Sequence, residues 1–248
     1  MSEPLLRVSN LTAGYNGVQA IRNLSFEVGP GEVVALLGPN GAGKTTSLLA
    51  MVGLLPLIGG EVHALGERVD TRRPHQLARR GVMLVPDDRG IFFGLSVGEH
   101  FRLARRKADP VRQEQVLERF PALRRLTARK VGLLSGGEQQ MLTIAKAILA
   151  RPKVLMIDEM SLGLAPKIVQ EMLPSIRDLA KEEGIGLVLV EQHIELALSV
   201  ADRGLILNHG EVVLDGAASD LLARREQVEA AYFGVEDRVE VDAEVLPS

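Results

Sequence analysis

The chain has 248 residues, of which 46% are hydrophobic and 25% charged, and it contains no cysteine. This composition excludes a disulfide scaffold, a collagen-like protein and a largely disordered chain, and the length suffices for one large domain with a buried core. The formal net charge of −3, the absence of tryptophan and the small number of other aromatic residues give no basis for nucleic-acid binding. We therefore expect a protein of a reducing compartment that has no nucleic-acid partner.

The chain shows no pattern for crossing a membrane. The N-terminal residues lack a basic start followed by an apolar stretch, so we expect no signal peptide. The longest uncharged stretch, residues 45–60, is too short to span a bilayer. Any role at a membrane would then require a partner that spans it.

Charge is distributed unevenly along the chain. Residues 234–248 carry a net charge of −4, and we predict that 235–248 form an acidic, flexible tail. Residues 96–130 carry a net charge of +6, most simply as a solvated helical face. A second interpretation is that this segment, including Arg102, Arg105 and Arg106, lies near an anionic membrane surface.

The N-terminal part is predicted to alternate strands and turns. Leu24, Phe26 and Val28 alternate with polar residues, and residues 33–37 are a continuous apolar run typical of a buried strand. A helix is expected over 45–52, after a glycine-rich loop. Further elements are predicted as a strand over 61–64, a helix over 74–80 and a strand over 82–85.

The second half begins with a different pattern. Residues 97–130 are charged and rich in helix formers, which predicts a helical insertion between two halves of a sheet. Beyond it we predict helices over 136–150, 168–181 and 194–201, and strands over 154–157, 187–190 and 204–207. This alternation predicts an α/β fold with a mostly parallel sheet covered on both faces.

A phosphate-binding loop is the first motif that carries chemistry. Residues 38–46 read GPNGAGKTT between a predicted strand and a predicted helix, which fits the P-loop. Its backbone N–H groups would wrap the phosphates, Lys44 would reach the β- and γ-phosphates, and the Thr45 hydroxyl would ligate Mg²⁺. The expected binding residues are Gly38, Pro39, Asn40, Gly41, Ala42, Gly43, Lys44, Thr45 and Thr46. The loop alone leaves GTPase, kinase, helicase and transport ATPase open.

A second motif, LSGGEQQ over residues 134–140, narrows that choice. Ser135 and Glu138 form a capping-box pattern that needs no ligand. Gly136 and Gly137 lower helix propensity directly after the cap, as a backbone pressed close against a phosphate would require. We therefore predict that the start of this helix contacts nucleotide.

A third motif places two acids at the end of an apolar strand. Asp158 and Glu159 follow residues 154–157, so they should lie at the carboxyl edge of the sheet, where ligands bind in open α/β folds. We expect Asp158 to hold Mg²⁺, directly or through water, and Glu159 to polarise the attacking water.

The order of these motifs, with Tyr15 before them and His193 after them, resembles the ATP-binding subunits of ABC transporters over nearly the whole chain. The resemblance implies a P-loop ATPase core with an antiparallel β region and a helical subdomain. It implies one ATPase domain over 1–234, with the subdomain inserted at about 96–150. ATP and Mg²⁺ are the implied cofactors.

The resemblance also implies site roles and a mechanism. Tyr15 would stack on adenine with Ala20 near the base, and His193 would contact the γ-phosphate. Two ATPase subunits would pack head to tail, so that Ser135 and Gly137 of one subunit cover the ATP held by the other. ATP binding closes this dimer and hydrolysis releases it, and the movement passes to membrane-spanning partners near residues 87–95.

Within that superfamily the chain looks most like the smaller of the two ATPase subunit types of the branched-chain amino acid importer. The similarity lies in residues 85–92, 135–142, 161–166 and 230–234. Three residues depart from the superfamily pattern. Asp87 stands where glutamine is usual and would reach Mg²⁺ or the attacking water less directly, Ala165 replaces an aspartate that bridges the dimer, and Met160 replaces a proline.

The expected function is ATP hydrolysis that energises an importer for branched-chain or related amino acids. The implied partners are a second ATPase subunit, identical or different, transmembrane permease subunits and, indirectly, a substrate-binding protein. The expected location is cytoplasmic, peripheral on the inner face of the cell membrane. The alternatives are an importer for urea or short amides and a soluble single-domain ABC ATPase in a non-transport assembly.

Overall fold

The computed structural model of the chain describes residues 3–104, 109–161 and 164–233. The strands are β1 (Leu6–Tyr15), β2 (Val18–Val28), β3 (Val33–Leu37), β4 (Leu57–Ala64), β5 (Glu67–Arg68), β6 (Val82–Val85), β7 (Val154–Asp158), β8 (Gly186–Glu191), β9 (Arg203–Asn208) and β10 (Glu211–Ala217). The helices are α1 (Lys44–Met51), α2 (Pro74–Arg80), α3 (Val97–Leu103), α4 (Pro110–Arg119), α5 (Pro121–Arg124), α6 (Gly136–Leu149), α7 (Pro166–Glu183), α8 (Ile194–Leu198), α9 (Ala218–Ala223) and α10 (Arg225–Phe233).

The strands form two sheets. The larger has the order β10-β9-β3-β8-β7-β6, and all of its strands are parallel except β10, which pairs antiparallel with β9. The smaller is antiparallel, with the order β2-β1-β4-β5. This confirms the predicted α/β fold with an additional antiparallel β region.

The parallel strands β3, β7, β8 and β9 of the larger sheet are buried on both faces, as their continuous apolar runs predict. In β3, Val33, Ala35 and Leu37 belong to the core cluster formed with α3–α10, whereas Val34 and Leu36 belong to the cluster formed with α1 and the antiparallel sheet. The carboxyl ends of β3, β7 and β8 therefore lie at one edge between two packed layers. This is the edge to which the P-loop and the two acids belong.

The predicted helical insertion is present, because α3, α4, α5 and α6 all lie between β6 and β7. Its positive charge is partly paired: Arg112 and Arg119 of α4 bond to Glu183 and Glu182 near the end of α7. This pairing favours the interpretation of the segment as an ordinary solvated and ion-paired face. The exact domain boundaries, 1–234 and about 96–150, stay predictions. Arg105, Arg106 and the acidic tail over 235–248 lie outside the described residues.

Several element boundaries differ from the sequence prediction. The helix expected over 194–201 ends at Leu198, because Asp202 is bonded to the start of β3. The Asp202 N–H donates to the Val33 carbonyl at 2.8 Å, and the Asp202 carboxylate accepts from the Val33 N–H at 2.9 Å. The strand expected over 61–64 begins at Leu57, since paired glycines that suggest a turn lie within β4. Helices α9 and α10 were not predicted.

The structure offers no membrane-spanning helix. Within residues 3–104, 109–161 and 164–233, no helix is both long enough and apolar enough to cross a bilayer.

Candidate functional site

The P-loop residues 38–43 connect β3 to the first turn of α1, as predicted. Gly43 has a φ of 98°, and a Cβ atom there would lie 2.5 Å from the carbonyl oxygen of Ala20. Only glycine fits this position, since any side chain would collide with the backbone of β2. Ala20, expected near the base, is thereby placed directly against the phosphate-binding loop.

Lys44 is folded back onto this loop. Its side chain is buried, and Nζ donates to the carbonyls of Gly38 at 2.8 Å and Pro39 at 3.1 Å. The same ammonium lies 3.5 Å from Oε1 of Glu159. Lys44, expected to reach the γ-phosphate, and Glu159, expected to polarise the attacking water, thus form an ion pair in this structure.

Asp158 is a buried carboxyl at the end of β7. It is 2% exposed, it accepts a hydrogen bond from the Thr45 side chain, and its Oδ1 has no hydrogen-bond partner. Burial raises its pKa to about 6, and the negative charges of Asp87 and Glu159 add to this, while the Thr45 bond and the Lys44 charge act in the opposite direction. A buried acceptor with unused capacity beside a threonine hydroxyl is what a divalent cation would satisfy.

Glu159, the next residue, has a strained backbone. Its φ of 44° lies in the left-handed region that non-glycine residues rarely adopt. Its N–H donates to the Val190 carbonyl of β8 at 3.0 Å, and its side chain is 15% exposed. Strain of this kind collects at functional sites, where the surroundings hold it in place.

Asp87 lies on the exposed loop after β6, close enough to Asp158 for its charge to raise the pKa of that carboxyl. The loop is attached to α6: Arg89 donates to Gln139 at 2.7 Å and to Gln140 at 3.2 Å. The sequence pattern predicts no role for Arg89, because its contacts depend on the tertiary placement of α6.

Tyr15 and His193 are both exposed. Tyr15 ends β1 with 48% of its surface accessible, as a residue that stacks on a ligand requires. His193 precedes α8 and follows Glu191, the last residue of β8. Asp158 in β7 pairs with Val190 in β8. His193 follows Val190 by three residues, so it lies beyond the same end of the sheet as the two acids.

The signature residues Ser135, Gly136 and Gly137 form the start of α6, as predicted, with the capping box in place. Among the described residues, Ser135 hydrogen-bonds with Glu138 and with no residue of the P-loop. A Cβ atom on Gly137 would lie 2.8 Å from Cδ1 of Ile168 in α7, so a side chain here would require the end of Ile168 to move.

The structure therefore assembles most of the predicted site and leaves one part separate. Lys44, Thr45, Asp158, Glu159 and Asp87 interact at one edge of the sheet. The signature residues have their own bonds within α6. Over the described part of the chain no group of three or more histidine or acidic side chains is placed to hold a metal ion by itself. A metal here would need oxygen ligands from a bound phosphate as well.

Two polar residues beside the site were not identified from the sequence. Ser161 follows Glu159 by two residues, and Glu191 precedes His193 by two residues. They are hydrogen-bonded to each other. A buried acid at the end of an apolar strand, such as Glu191, has the same sequence pattern as an acid exposed to solvent there. Only the structure shows that Glu191 is buried.

A glycine-rich loop with a buried lysine, next to a threonine hydroxyl and two carboxyls at the end of a parallel strand, defines a P-loop nucleotide-binding protein. Comparison with known proteins gives the family. A family model described as "ABC transporter" matches residues 21–161. The chain is 36% identical to the high-affinity branched-chain amino acid transport ATP-binding protein BraG of Pseudomonas aeruginosa, covering 93% of this chain and 100% of that protein.

Other relatives differ in their transport role. The lipopolysaccharide export system ATP-binding protein LptB of Escherichia coli is 31% identical, over 94% of this chain and 99% of that protein. The dimeric structure of a bacterial ABC transporter cassette superposes with a TM-score of 0.78 at 25% identity, covering 86% of this chain and 98% of that one. The chain belongs to the ABC transporter family and is an ATP-binding, ATP-hydrolysing subunit. The resemblance seen in its motifs is confirmed.

Proposed function

We propose that the chain is the ATP-hydrolysing subunit that energises an ABC importer for branched-chain or related amino acids. The cargo class is supported by the similarity to BraG over 93% of this chain and the full length of that protein. The hydrolytic role is supported by one observation above all: the unsatisfied Oδ1 of buried Asp158, next to Thr45 and the Lys44–Glu159 ion pair.

ATP binding would rearrange the bonds of Lys44. Its ammonium now bonds to two P-loop carbonyls and lies close to Glu159. The β- and γ-phosphates carry more negative charge than either partner, so Lys44 would turn to them and leave Glu159 free to accept a proton. Tyr15 would stack on the adenine, with the β2 backbone at Ala20 beside it.

The residues present fit a magnesium ion. Thr45 and Asp158 would hold it together with phosphate oxygens, and Asp87 would act from farther away through its charge or a water molecule. When bound, the ion would neutralise the phosphate charge and remove the cost of ionising the buried Asp158.

Hydrolysis would then depend on Glu159 and His193. Glu159 would accept a proton from the attacking water. At the same time the water oxygen would bond to the γ-phosphorus, and the bond from that phosphorus to the ADP oxygen would break. His193, at the exposed start of α8, would contact the γ-phosphate. Ser135, Gly136 and Gly137 would cover the ATP held by a second ATPase subunit.

The loop after β6 offers a docking surface for the transmembrane permease. Phe92 and Phe93 are 62% and 60% exposed, in a chain whose other large apolar residues are mostly buried. The loop is held from behind, since the Phe92 N–H donates to His100 at 3.0 Å and the Phe93 carbonyl accepts from Gly132 at 3.0 Å. Binding there would place the subunit peripherally on the inner face of the membrane.

Transport by a reconstituted complex tests the proposal. With permease subunits, a sister ATPase and a binding protein reconstituted in liposomes, we expect ATP-dependent uptake of labelled leucine, isoleucine or valine. Glu159→Gln should abolish uptake while ATP binding remains, and Lys44→Ala should weaken both. Uptake of urea or amides instead would change the cargo, and outward movement of lipid, as the similarity to LptB would suggest, would reverse the direction.

Co-purification from detergent extracts separates the transport role from the remaining alternative. We expect a permease to accompany the wild type and Phe233→Ser, whose phenylalanine is 70% exposed at the end of α10. The double variant Phe92→Ser/Phe93→Ser should lose the permease and keep its basal ATPase rate. Recovery of a soluble partner without a permease would favour a non-transport assembly.

A further inference from the structure

A fully buried carboxylate lies, in sequence, between Glu159 and His193, the two residues on which hydrolysis is proposed to depend. Glu191, the last residue of β8, is 0% exposed and stands two residues before His193. No lysine or arginine forms an ion pair with it in the part of the chain that the structure describes. Burying an acid without a cation is unfavourable unless its oxygens are satisfied in another way.

Ser161 supplies those bonds. Its backbone N–H donates to one carboxylate oxygen of Glu191 at 2.9 Å, and its hydroxyl donates to the other at 2.5 Å. Both oxygens of Glu191 thus accept from Ser161, which lies two positions after Glu159, and the backbone N–H of Gln192 adds a further bond. We call this pair of bonds the Glu191–Ser161 clasp.

The clasp completes a two-point attachment of the segment that carries Glu159. At the first point the Glu159 N–H bonds to the Val190 carbonyl, and at the second Ser161 bonds to Glu191. Met160 between them is fully buried. Glu159 has a φ of 44°, so its backbone would relax to a more ordinary conformation if one of the attachments were lost.

We propose that Glu191 is a positioning residue for ATP hydrolysis, which acts through Ser161 to hold Glu159 in its strained backbone conformation beside the P-loop. The proposal rests on the role given above to Glu159. Relaxation of the segment would turn the Glu159 carboxylate away from the position 3.5 Å from Lys44 that it now occupies. ATP binding uses the P-loop, which the clasp does not touch, so the effect should fall on turnover and not on affinity.

Steady-state ATPase kinetics of the full chain test the clasp. Glu191→Gln keeps the shape but removes the charge, so the bond from the Ser161 N–H becomes a weaker neutral one and the Ser161 hydroxyl has to reverse its bond and accept from the amide NH₂. We expect kcat to fall about tenfold with KM within about twofold of wild type. Ser161→Ala removes the hydroxyl and should lower kcat by about threefold, whereas Ser161→Thr keeps the hydroxyl and should retain wild-type kcat. The matched control is Glu195→Gln, an exposed acid two residues after His193.

The outcomes separate this proposal from the one on which it rests. Normal kcat in both Glu191→Gln and Ser161→Ala, with Glu159→Gln inactive, overturns the clasp alone. A rise in KM without a fall in kcat also overturns it. Full activity of Glu159→Gln overturns the proposed site itself. If Glu191→Gln fails to fold by circular dichroism, the comparison of Ser161→Ala with Ser161→Thr decides the question.

Discussion

Asp158 gives this protein a pH-dependent stability in the absence of nucleotide. Its pKa in the folded state is raised from its ordinary value of 3.8 to about 6, chiefly by burial. The folded state therefore holds this proton more tightly than the unfolded state, and the free energy of unfolding falls as the pH rises through that window. At pH values above about 6, the ionised Asp158 should lower the free energy of unfolding by on the order of 2 kcal/mol.

Asp158→Asn should remove this cost. We expect the variant to gain stability relative to wild type between pH 4.5 and pH 7, with a constant difference at higher pH, as measured by urea unfolding with EDTA. Mg²⁺ with ATP should reverse the order by stabilising only the wild type. An equal difference at pH 4.5 and pH 7 would show that Asp158 does not titrate in this range.

The sequence identifies the residues of this site better than it identifies their partners. Lys44, Thr45, Asp158 and Glu159 follow from motifs whose local geometry is set by the strand, loop and helix that contain them. The clasp could not be predicted, because Glu191 and Ser161 lie 30 positions apart and meet only through the pairing of β7 with β8. Short-range pattern carries no information about such a contact.

Among the described helices, α3 and α6 begin with the same capping box, and of these two only α6 is proposed to contact ATP. At α6 the Ser135 hydroxyl accepts from the Glu138 N–H at 3.3 Å, and at α3 the Ser96 hydroxyl accepts from the Glu99 N–H at 3.2 Å. Loss of either serine hydroxyl should cost about 1 kcal/mol of stability. The chain thus contains its own control for the signature serine.

Ser135→Ala and Ser96→Ala should therefore behave alike in unfolding and differently in turnover. We expect similar losses of stability in urea, but a lower ATPase rate only for Ser135→Ala, because only that serine is proposed to meet a phosphate. Equal ATPase rates in the two variants would show that Ser135 acts only as a helix cap and has no role in hydrolysis. Unequal stability losses would show that the two boxes are not comparable.

At the scale of elements, apolar runs and helix caps were predictive and helix ends were less so. The buried strands β3, β7 and β8 match their sequence predictions within about a residue, because covering both faces leaves no polar positions. The end of α8 was wrong by three residues, since the bonds between Asp202 and Val33 stop the helix. That constraint comes from a strand far away in sequence.

At the scale of the whole molecule, a largely buried ion pair helps to join the helical insertion to the rest of the fold. Arg112 of α4 is 4% exposed, bonds bidentately to Glu183 of α7 and donates to the Ile148 carbonyl at 3.1 Å. Arg112→Ala would leave a partly buried carboxylate without its partner and should cost about 3 kcal/mol. Urea unfolding of Arg124→Ala, which breaks the exposed pair with Glu114, should be indistinguishable from wild type.

The double variant Arg112→Met/Glu183→Leu tests the same contact, but it leaves neither charge of the pair without a partner. We expect the double variant to recover most of the lost stability, because an apolar pair removes two desolvated charges together. Recovery of stability with loss of ATP-stimulated transport would indicate that the ion pair matters for movement between the insertion and the sheet. Stability as low as that of Arg112→Ala would indicate poor packing instead.

The separation of the P-loop from Ser135 predicts how the molecule associates. One chain supplies a P-loop at the sheet edge and a signature at the start of α6, and Ser135 bonds within its own helix. Two copies packed head to tail would complete two ATP sites, so ATP should hold them together until it is hydrolysed.

With ATP, the mass of Glu159→Gln measured by light scattering should therefore double from the 26.8 kDa of one chain, while Glu159→Gln/Lys44→Ala stays monomeric. If Glu159→Gln binds ATP and remains a monomer, the second half of each site must come from a different subunit, and adding that sister ATPase should then produce the heterodimer.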